Sequence, residues 1–219
     1  MRVEPLPFRH LVADGLCARV DLNEARAQWP GRDWPNWLTY DTPQQRKRTC
    51  CDWGAMPGAC RRLLGQMLLL PVAQWLGQLP AVPDTLLWGA GLCDMRSGDY
   101  LRLHLDHDVH VRTGLARVAT AVLYLDDFEY GWGGELQLWD RQKPLPVASF
   151  LPSRGRLVAF ANGDSSYHAV APVSCPDVRV RRALLVHWYG PPAAHGGHRP
   201  KAQFVDAHGN SVATPPRPE

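Results

Sequence analysis

The sequence predicts a mainly β protein, a sandwich or small barrel supported by helices at its N-terminal end. From about residue 85 onward, short runs with a period of two, such as RVATAVLYLD and RLVAFAN, alternate with clusters of Gly, Pro, Asp or Asn. Before that point Leu64, Met67 and Val72 recur at helical spacing. The length of 219 residues and the 45% hydrophobic content suit one folded domain. Seven or eight such strands are enough for a jelly roll.

Three segments are predicted within this one structural domain. Residues 1–84 form a helical and loop extension packed on the core, residues 85–190 form the β core, and the proline-rich residues 191–219 form a tail that wraps the surface and frays at its end. The Trp-rich segment 29–53 and the tail are open to two interpretations, a lid or a homodimer contact.

Composition excludes several classes of function. The formal net charge is only +3, and the 24 Lys and Arg residues are scattered without long runs, so no nucleic-acid partner is expected. The N-terminus lacks the apolar core of a signal peptide, and no apolar run is long enough to span a membrane. The six cysteines form no CxxC pair. We therefore expect reduced thiols in a cytoplasmic protein.

The stretch HLDHDVH, residues 104–110, contains the strongest candidate for a metal site. Alternation along a strand places Arg102, His104 and Asp106 on one face and the leucines between them on the other. A His and an Asp two residues apart supply two ligands of the 2-His-1-carboxylate triad that binds non-haem Fe(II). The later run YHAVAPV offers His168 as the third ligand.

The last strand, VRVRRALLVHW, predicts an anion-binding residue. Alternation places Arg182 in the middle of an apolar row, which we assign to the interior of the barrel. A buried Arg without an anionic partner costs several kcal/mol. The strand RVATAVLYLD offers the hydroxyls of Thr120 and Tyr124 on one face but no carboxylate. A dicarboxylate ligand fits this arrangement, with one end chelating the metal and the other paired with Arg182.

The ordered set GDYLRLHLD, RVATAVLYLD, GGELQLWD, YHAVAPV and RALLVHWY resembles the prolyl-4-hydroxylase type of Fe(II)- and 2-oxoglutarate-dependent dioxygenases, over roughly residues 90–190. The resemblance implies a double-stranded β-helix core with supporting N-terminal helices. It also implies hydroxylation of an unactivated C–H bond with Fe(II), 2-oxoglutarate and O2. The substrate is then either a prolyl residue in a protein or peptide, or a small amino-acid or natural-product molecule.

The resemblance also implies roles for individual residues. His104, Asp106 and His168 resemble the iron ligands. The residues that resemble the 2-oxoglutarate contacts are Arg182, Tyr124 and Leu136, and Thr120 adds a hydroxyl on the same face as Tyr124.

The sequence departs from the family pattern in two places. Met95 stands where many relatives have a tyrosine, so the same hydrogen bond is not assigned to it. The insertion SCPDV lengthens the path from His168 to Arg182 to fourteen residues, which leaves Arg179 or Arg181 as a fallback for the cosubstrate arginine.

Other interpretations remain at this stage. A non-catalytic jelly-roll module that binds a metal or ligand is the main alternative, whereas the order of His and Asp argues against a metallo-β-lactamase-type hydrolase. His107 and His110 are expected in a loop near the substrate entrance. Tyr130 and Trp132 fit either an aromatic lid or loop packing.

Overall fold

The computed structural model describes residues 1–142, 144–191, 199–206 and 210–212, and it confirms the predicted mainly β fold. The described strands form one curled, antiparallel, 15-stranded sheet. The strands are β1 (Arg2–Glu4), β2 (His10–Ala13), β3 (Leu38–Thr42), β4 (Gln45–Cys50), β5 (Val82–Pro83), β6 (Gly91–Met95), β7 (Tyr100–Leu105), β8 (Ala116–Tyr124), β9 (Leu136–Leu138), β10 (Ala148–Phe150), β11 (Leu157–Ala161), β12 (His168–Val170), β13 (Arg181–Gly190), β14 (Gln203–Val205) and β15 (Ser211–Val212). The helices are α1 (Arg19–Ala27), α2 (Gly58–Leu68) and α3 (Val72–Trp75).

The sheet curls into two walls that face each other across a cavity. One wall has the strand order β2-β11-β8-β13-β6, and the other has the order β7-β12-β9-β10. Strand β4 joins the walls, because it pairs with β6 through Arg48 to Cys50 and with β7 through Gln45 and Arg46. Side chains that point inward from both walls therefore converge on one space.

The helices cover the outer face of the first wall. Leu184, Val186 and Trp188 of β13 belong to the same buried cluster as Leu63 and Leu64 of α2. Strand β13 is consequently buried on both faces, with the helices on one side and the cavity on the other. Within the described residues, no helix has the length and apolarity needed to cross a bilayer.

Segments outside the predicted β core also contribute strands. The N-terminal segment 1–84 supplies β1 to β5 in addition to its helices, so it is not only helical and loop. In the tail, β14 pairs with β7 beside His104. The rest of the predicted surface wrap, residues 192–198, 207–209 and 213–219, lies outside the described residues. The boundaries at 84/85 and 190/191 remain predictions.

A buried ion cluster fixes β4 against β6. The Arg48 guanidinium donates to Asp94 Oδ1 and to Asp99 Oδ2, each at 2.9 Å, and Trp29 Nε1 donates to Asp94 Oδ2 at 3.2 Å. Asp94 is fully buried, and the Arg48 side chain is 11% exposed. Burial raises the pKa of Asp99, which shows how far the carboxylate is removed from water. Removal of Arg48 would leave two buried carboxylates without their shared cation.

We expect Arg48→Met to lower the free energy of unfolding by about 3–5 kcal/mol, because it breaks a buried pair from one side. Urea denaturation followed by Trp fluorescence measures the change. The matched control is Arg46→Met on the same strand, whose solvent-exposed pair with Asp41 should add little to stability. Equal losses in the two variants would contradict a structural role for the cluster.

Candidate metal centre and cavity

The structure brings together the three predicted metal ligands. His104 lies on β7 directly opposite His168 on β12, and Asp106 follows the end of β7. One ligand atom from each of the three side chains lies within 4.8 Å of the others. Both imidazoles are buried, and their ring centroids are 4.2 Å apart.

Hydrogen bonds orient both imidazoles for metal binding. Nδ1 of His104 bonds to the Arg102 carbonyl at 2.8 Å, and Nδ1 of His168 bonds to the Ser166 carbonyl at 2.9 Å. A carbonyl only accepts, so Nδ1 carries the proton and Nε2 is left with a lone pair. The two Nε2 atoms lie 3.5 and 3.7 Å from carboxylate oxygens of Asp106. Burial lowers the pKa of His168 to about 4, so the ring is neutral at pH 7, which is the form that binds a metal. This donor set fits Fe(II).

Two polar side chains hold one oxygen of Asp106. Arg117 Nη1 lies 2.9 Å from Oδ2, and Asn162 Nδ2 donates to the same oxygen at 3.3 Å. Oδ1 is left on the side of His104 Nε2. Burial alone would raise the pKa of Asp106, but Arg117 and the two histidines outweigh it and hold this pKa well below its usual value. The carboxylate is therefore ionised and has one oxygen available to a cation.

The prediction that Arg182 points into the barrel is wrong. Its guanidinium donates to Asp126 Oδ1 at 2.7 Å, its backbone N–H donates to Asp126 Oδ2, and Arg26 contacts the same carboxylate. Arg182 lies on the face of β13 that packs toward the helices, together with Leu184 and Val186. The most apolar face of β13 is thus its outer face.

Arg181, one of the two fallback residues, is the arginine inside the barrel. It is 2% exposed and lines the cavity with His104 and His168. Its Nε donates to the Gly134 carbonyl at 2.7 Å, and Nη2 donates to the Tyr124 hydroxyl at 3.4 Å. No carboxylate among the described residues forms an ion pair with it. The other fallback, Arg179, is exposed and lies over the ring of Trp132.

A glycine turn makes this arrangement of Arg181 possible. Gly133 and Gly134 both have positive φ values, of 66° and 75°. A Cβ on Gly133 would lie 1.9 Å from the Pro172 carbonyl oxygen, so no other residue fits there. The turn brings the Gly134 carbonyl to the Arg181 guanidinium, and Leu136 two residues later lines the cavity as predicted.

The prediction that Arg102 shares the metal-facing side of β7 is wrong, because β7 contains a bulge. The register between β7 and β12 shifts between the His168↔His104 and Val170↔Leu101 pairs. Because the extra residue reverses the alternation, Leu101 lines the cavity and Arg102 is exposed beside Tyr100.

The remaining predicted residues divide between cavity and packing. Thr120 lines the cavity, and its hydroxyl forms hydrogen bonds with Asn162 and His187. Among the described residues, no hydrogen bond joins Thr120 to Arg181. His107 also lines the cavity, whereas His110 does not. Trp132 packs edge-on against Phe128, and Tyr130 is 97% exposed, so loop packing describes this pair better than a lid.

Sequence reasoning missed three contributors to the site. Arg117 on β8 pairs with Asp106, Lys47 on β4 lines the cavity, and Phe204 on β14 stacks on His104 with 5.3 Å between ring centroids. The sequence gives only weak evidence for Arg117. It is the charged first residue of the run RVATAVLYLD, and strict alternation would place it on the opposite face from Thr120. Lys47 lies in the charged run QRKRTC, which has no strand pattern.

The cavity has a volume of about 490 Å³. Arg181, Leu136, His104 and His168 belong to its buried lining, as does Phe204 against His104. Its more exposed lining, the rim, includes Tyr40 of the β3–β4 hairpin and Pro200, Lys201 and Ala202. A volume of this size is typical of a small-molecule or cofactor site.

Comparison with known proteins supports this description. Residues 90–190 match the family model described as the 2OG-Fe(II) oxygenase superfamily. A search of curated protein sequences gave no significant match.

Solved structures share the fold at low sequence identity. A prolyl-4-hydroxylase from Pseudomonas putida is 22% identical, with a TM-score of 0.59 over 84% of this chain and 93% of that one. A prolyl hydroxylase from Trichoplax adhaerens, solved with a hypoxia inducible factor peptide, is 16% identical, with a TM-score of 0.58 over 82% of each chain. The α-ketoglutarate-dependent carbocyclase SnoK from nogalamycin biosynthesis is 12% identical, with a TM-score of 0.61 over 88% of this chain and 82% of that one.

We expect His168→Ala to abolish tight binding of one Fe(II) per chain, because it removes one of three ligands from the cluster. Isothermal titration with Fe(II) under argon measures this binding. The control is His110→Asn, because His110 is also buried but does not line the cavity. Its Nδ1 accepts hydrogen bonds from the backbone N–H groups of Arg112 and Thr113. Loss of binding in both variants would mean that the three ligands are wrongly assigned.

Proposed function

Because residues 90–190 belong to the 2OG-Fe(II) oxygenase superfamily, we propose that this chain hydroxylates an unactivated C–H bond, with His104, Asp106 and His168 as iron ligands and Arg181 as the cosubstrate anchor. The family uses Fe(II), 2-oxoglutarate and dioxygen. We also propose residues 85–190 as the oxygenase core, with the segments before and after it supplying parts of the rim.

One observation carries the proposal for the site. A buried guanidinium, Arg181, shares a cavity with a three-ligand cluster and has no carboxylate partner among the described residues. Its neutral contacts are the Gly134 carbonyl, the Tyr124 hydroxyl and the Met95 sulfur. These acceptors orient the guanidinium but do not neutralise its charge. A ligand with one end on the metal and a carboxylate at the other end satisfies both centres.

The chain's own groups bind and orient the reactants. When bound, iron and 2-oxoglutarate supply the oxidising chemistry, in which 2-oxoglutarate, dioxygen and a C–H bond become succinate, carbon dioxide and a hydroxylated carbon. Arg181, which the Tyr124 hydroxyl orients, would hold the distal carboxylate, and Leu136 would provide an apolar wall beside it. His104, neutral His168 and ionised Asp106 would provide the metal ligands.

Arg117 acts as a positioning residue in this proposal. It is buried, and its guanidinium contacts Asp106, the Tyr189 hydroxyl and the ring of His107. Because it fixes Oδ2 of Asp106, it sets the direction in which Oδ1 faces His104. Interactions of this kind with a metal ligand control affinity as well as geometry.

The substrate alternatives are a prolyl residue in a peptide and a small molecule. Both have precedent among the structural neighbours, one of which was solved with a peptide while another belongs to nogalamycin biosynthesis. A non-catalytic binding module is less well supported, since the cluster is complete. The cytoplasmic location and the homodimer remain predictions.

The neighbouring arginines on β13 provide a matched test of the cosubstrate anchor. We expect Arg181→Met to raise the KM for 2-oxoglutarate by about 100-fold or more, since each charge-assisted hydrogen bond contributes about 1.5–3 kcal/mol and 1.4 kcal/mol corresponds to tenfold. Release of succinate in the presence of Fe(II), with or without a coupled substrate, measures the effect.

The control is Arg182→Met, which removes the same charge from the adjacent position. We expect its KM for 2-oxoglutarate to stay at the wild-type value, while its free energy of unfolding falls by about 1–3 kcal/mol through loss of the contact with Asp126. A raised KM for 2-oxoglutarate in Arg182→Met, together with an unchanged KM in Arg181→Met, would overturn the assignment of Arg181.

A second test addresses Arg117. We expect Arg117→Met to weaken Fe(II) binding by about 10- to 100-fold while leaving the KM for 2-oxoglutarate nearly unchanged at saturating iron. Arg117→Lys should recover part of the loss, because it restores a cation beside Asp106. Unchanged metal affinity in Arg117→Met would show that Asp106 needs no such support.

A further inference from the structure

Lys47 is a second cation in the cavity without an acidic partner. It lies on β4, half-buried, and its side chain lines the same cavity as Asp106 and Arg181. Its ammonium lies 5.4 Å from the centroid of the Tyr40 ring. Among the described residues, no carboxylate forms an ion pair with it. Burial lowers the pKa of Lys47, Arg181 and Arg117 lower it further, and the attraction of Asp106 does not offset them.

The charges around the cavity leave an excess of cations. Asp106 is the only carboxylate among the described residues that line it, and Arg117 already pairs with that group. Burial lowers the pKa of His187 to about 3, so this ring is neutral at pH 7 and adds no charge. Given the proposed function, the two charges of Fe(II) offset those of 2-oxoglutarate. The cavity then still contains more positive than negative charge, because Arg181, Lys47 and the exposed Lys201 line it without a carboxylate partner among the described residues.

The size of the cavity limits what can bring the missing negative charge. Its volume of about 490 Å³ has to hold 2-oxoglutarate as well as the reacting part of the substrate. Tyr40 and Pro200 to Ala202 also line it, so part of this volume lies at the rim. A small molecule fits this space better than an extended peptide.

Strand β6 lies between Lys47 on β4 and Arg181 on β13. The opposite edge of β4 pairs with β3, where Lys47 is the backbone partner of Tyr40. A flexible lysine stem beside a rim aromatic can follow ligands of different shape, unlike the fixed guanidinium of Arg181.

We infer that Lys47 binds a carboxylate of the substrate, and that the substrate is a small organic acid. The inference rests on the proposed oxygenase function and names the substrate class for that same cavity.

The test compares acidic and non-acidic metabolites. Small molecules from a bacterial extract are separated by anion exchange at pH 7, and a part of the anionic pool is converted to carboxamides with carbodiimide and ammonia. Each pool is added to the Fe(II)-loaded enzyme with 2-oxoglutarate, and succinate is measured. We expect stimulation by the anionic pool and its loss after amidation. Stimulation only by the non-anionic pool, stimulation that survives amidation, or no stimulation by the anionic pool would overturn the inference.

Variants connect the effect to Lys47. We expect Lys47→Met to reduce stimulation by the anionic pool about 10- to 100-fold, as for loss of one or two charge-assisted hydrogen bonds. Lys47→Arg should retain part of the stimulation, because it keeps a cation at this position. Arg46→Met removes a cation from the same strand outside the cavity and should behave as the wild type. A raised KM for 2-oxoglutarate in Lys47→Met would instead place Lys47 in the cosubstrate site.

A chemical footprint gives a readout independent of turnover. Reductive methylation of the protein with formaldehyde, followed by peptide mass spectrometry, reports the accessibility of each lysine. We expect the anionic pool, but not the amidated pool, to protect Lys47 in the presence of Fe(II) and 2-oxoglutarate under argon. If the wild-type enzyme consumes no 2-oxoglutarate under any condition, the proposed function itself fails. If it consumes 2-oxoglutarate without a preference for acidic compounds, only the inference about Lys47 fails.

Discussion

The site depends on a positive charge that the protein buries without neutralising it. Arg181 is surrounded by a backbone carbonyl, a phenol hydroxyl and a thioether, which accept hydrogen bonds or lie near the guanidinium but carry no negative charge. An uncompensated buried charge costs several kcal/mol, so a fold retains it only where a ligand completes the pairing. The same cavity contains the three candidate metal ligands, and hydrogen bonds to backbone carbonyls orient both of their imidazoles. Arg181 requires an anion, and the three candidate ligands require a cation. One dicarboxylate that chelates one metal ion satisfies both requirements.

The contrast between Arg181 and Arg182 shows where sequence reasoning was reliable and where it failed. As the sequence reasoning predicted, a buried arginine without a carboxylate partner among the described residues lies near the start of the last long strand, but at position 181. The choice of face was wrong because β13 is buried on both sides. Its outer face, with Leu184, Val186 and Trp188, packs on the helices, whereas its inner face carries the functional groups and is therefore the more polar one. In a barrel with an internal site, the most apolar face of a wall strand indicates the helix layer and not the interior.

The candidate ligands were predictable for a different reason. Alternation placed His104 and Asp106 on one face, and the ordered motifs identified His168 as their partner across the barrel. The bulge in β7 was not visible in the sequence, and it changed the side of Arg102 without affecting the ligands beyond it. Strand β4 was equally hidden, since its residues QRKRTC show no apolar alternation. Its buried positions are occupied by Arg48, in an ion cluster with Asp94 and Asp99, and by Cys50, so polar pairing replaces the usual hydrophobic signal.

The three interior cations differ in how they are held, and this difference suggests a division of labour. Arg117 is paired with Asp106 and belongs to the metal centre. Arg181 is fixed by several neutral acceptors, which suits a ligand that is the same in every turnover. Lys47 stands on a flexible stem beside Tyr40 at the rim, where the bound molecule is the one that enters and leaves with changed chemistry. Because Arg181 and Lys47 both lack an acid among the described residues, the cavity is electrostatically suited to two anionic ligands bound together, one on the fixed guanidinium and one on the flexible lysine.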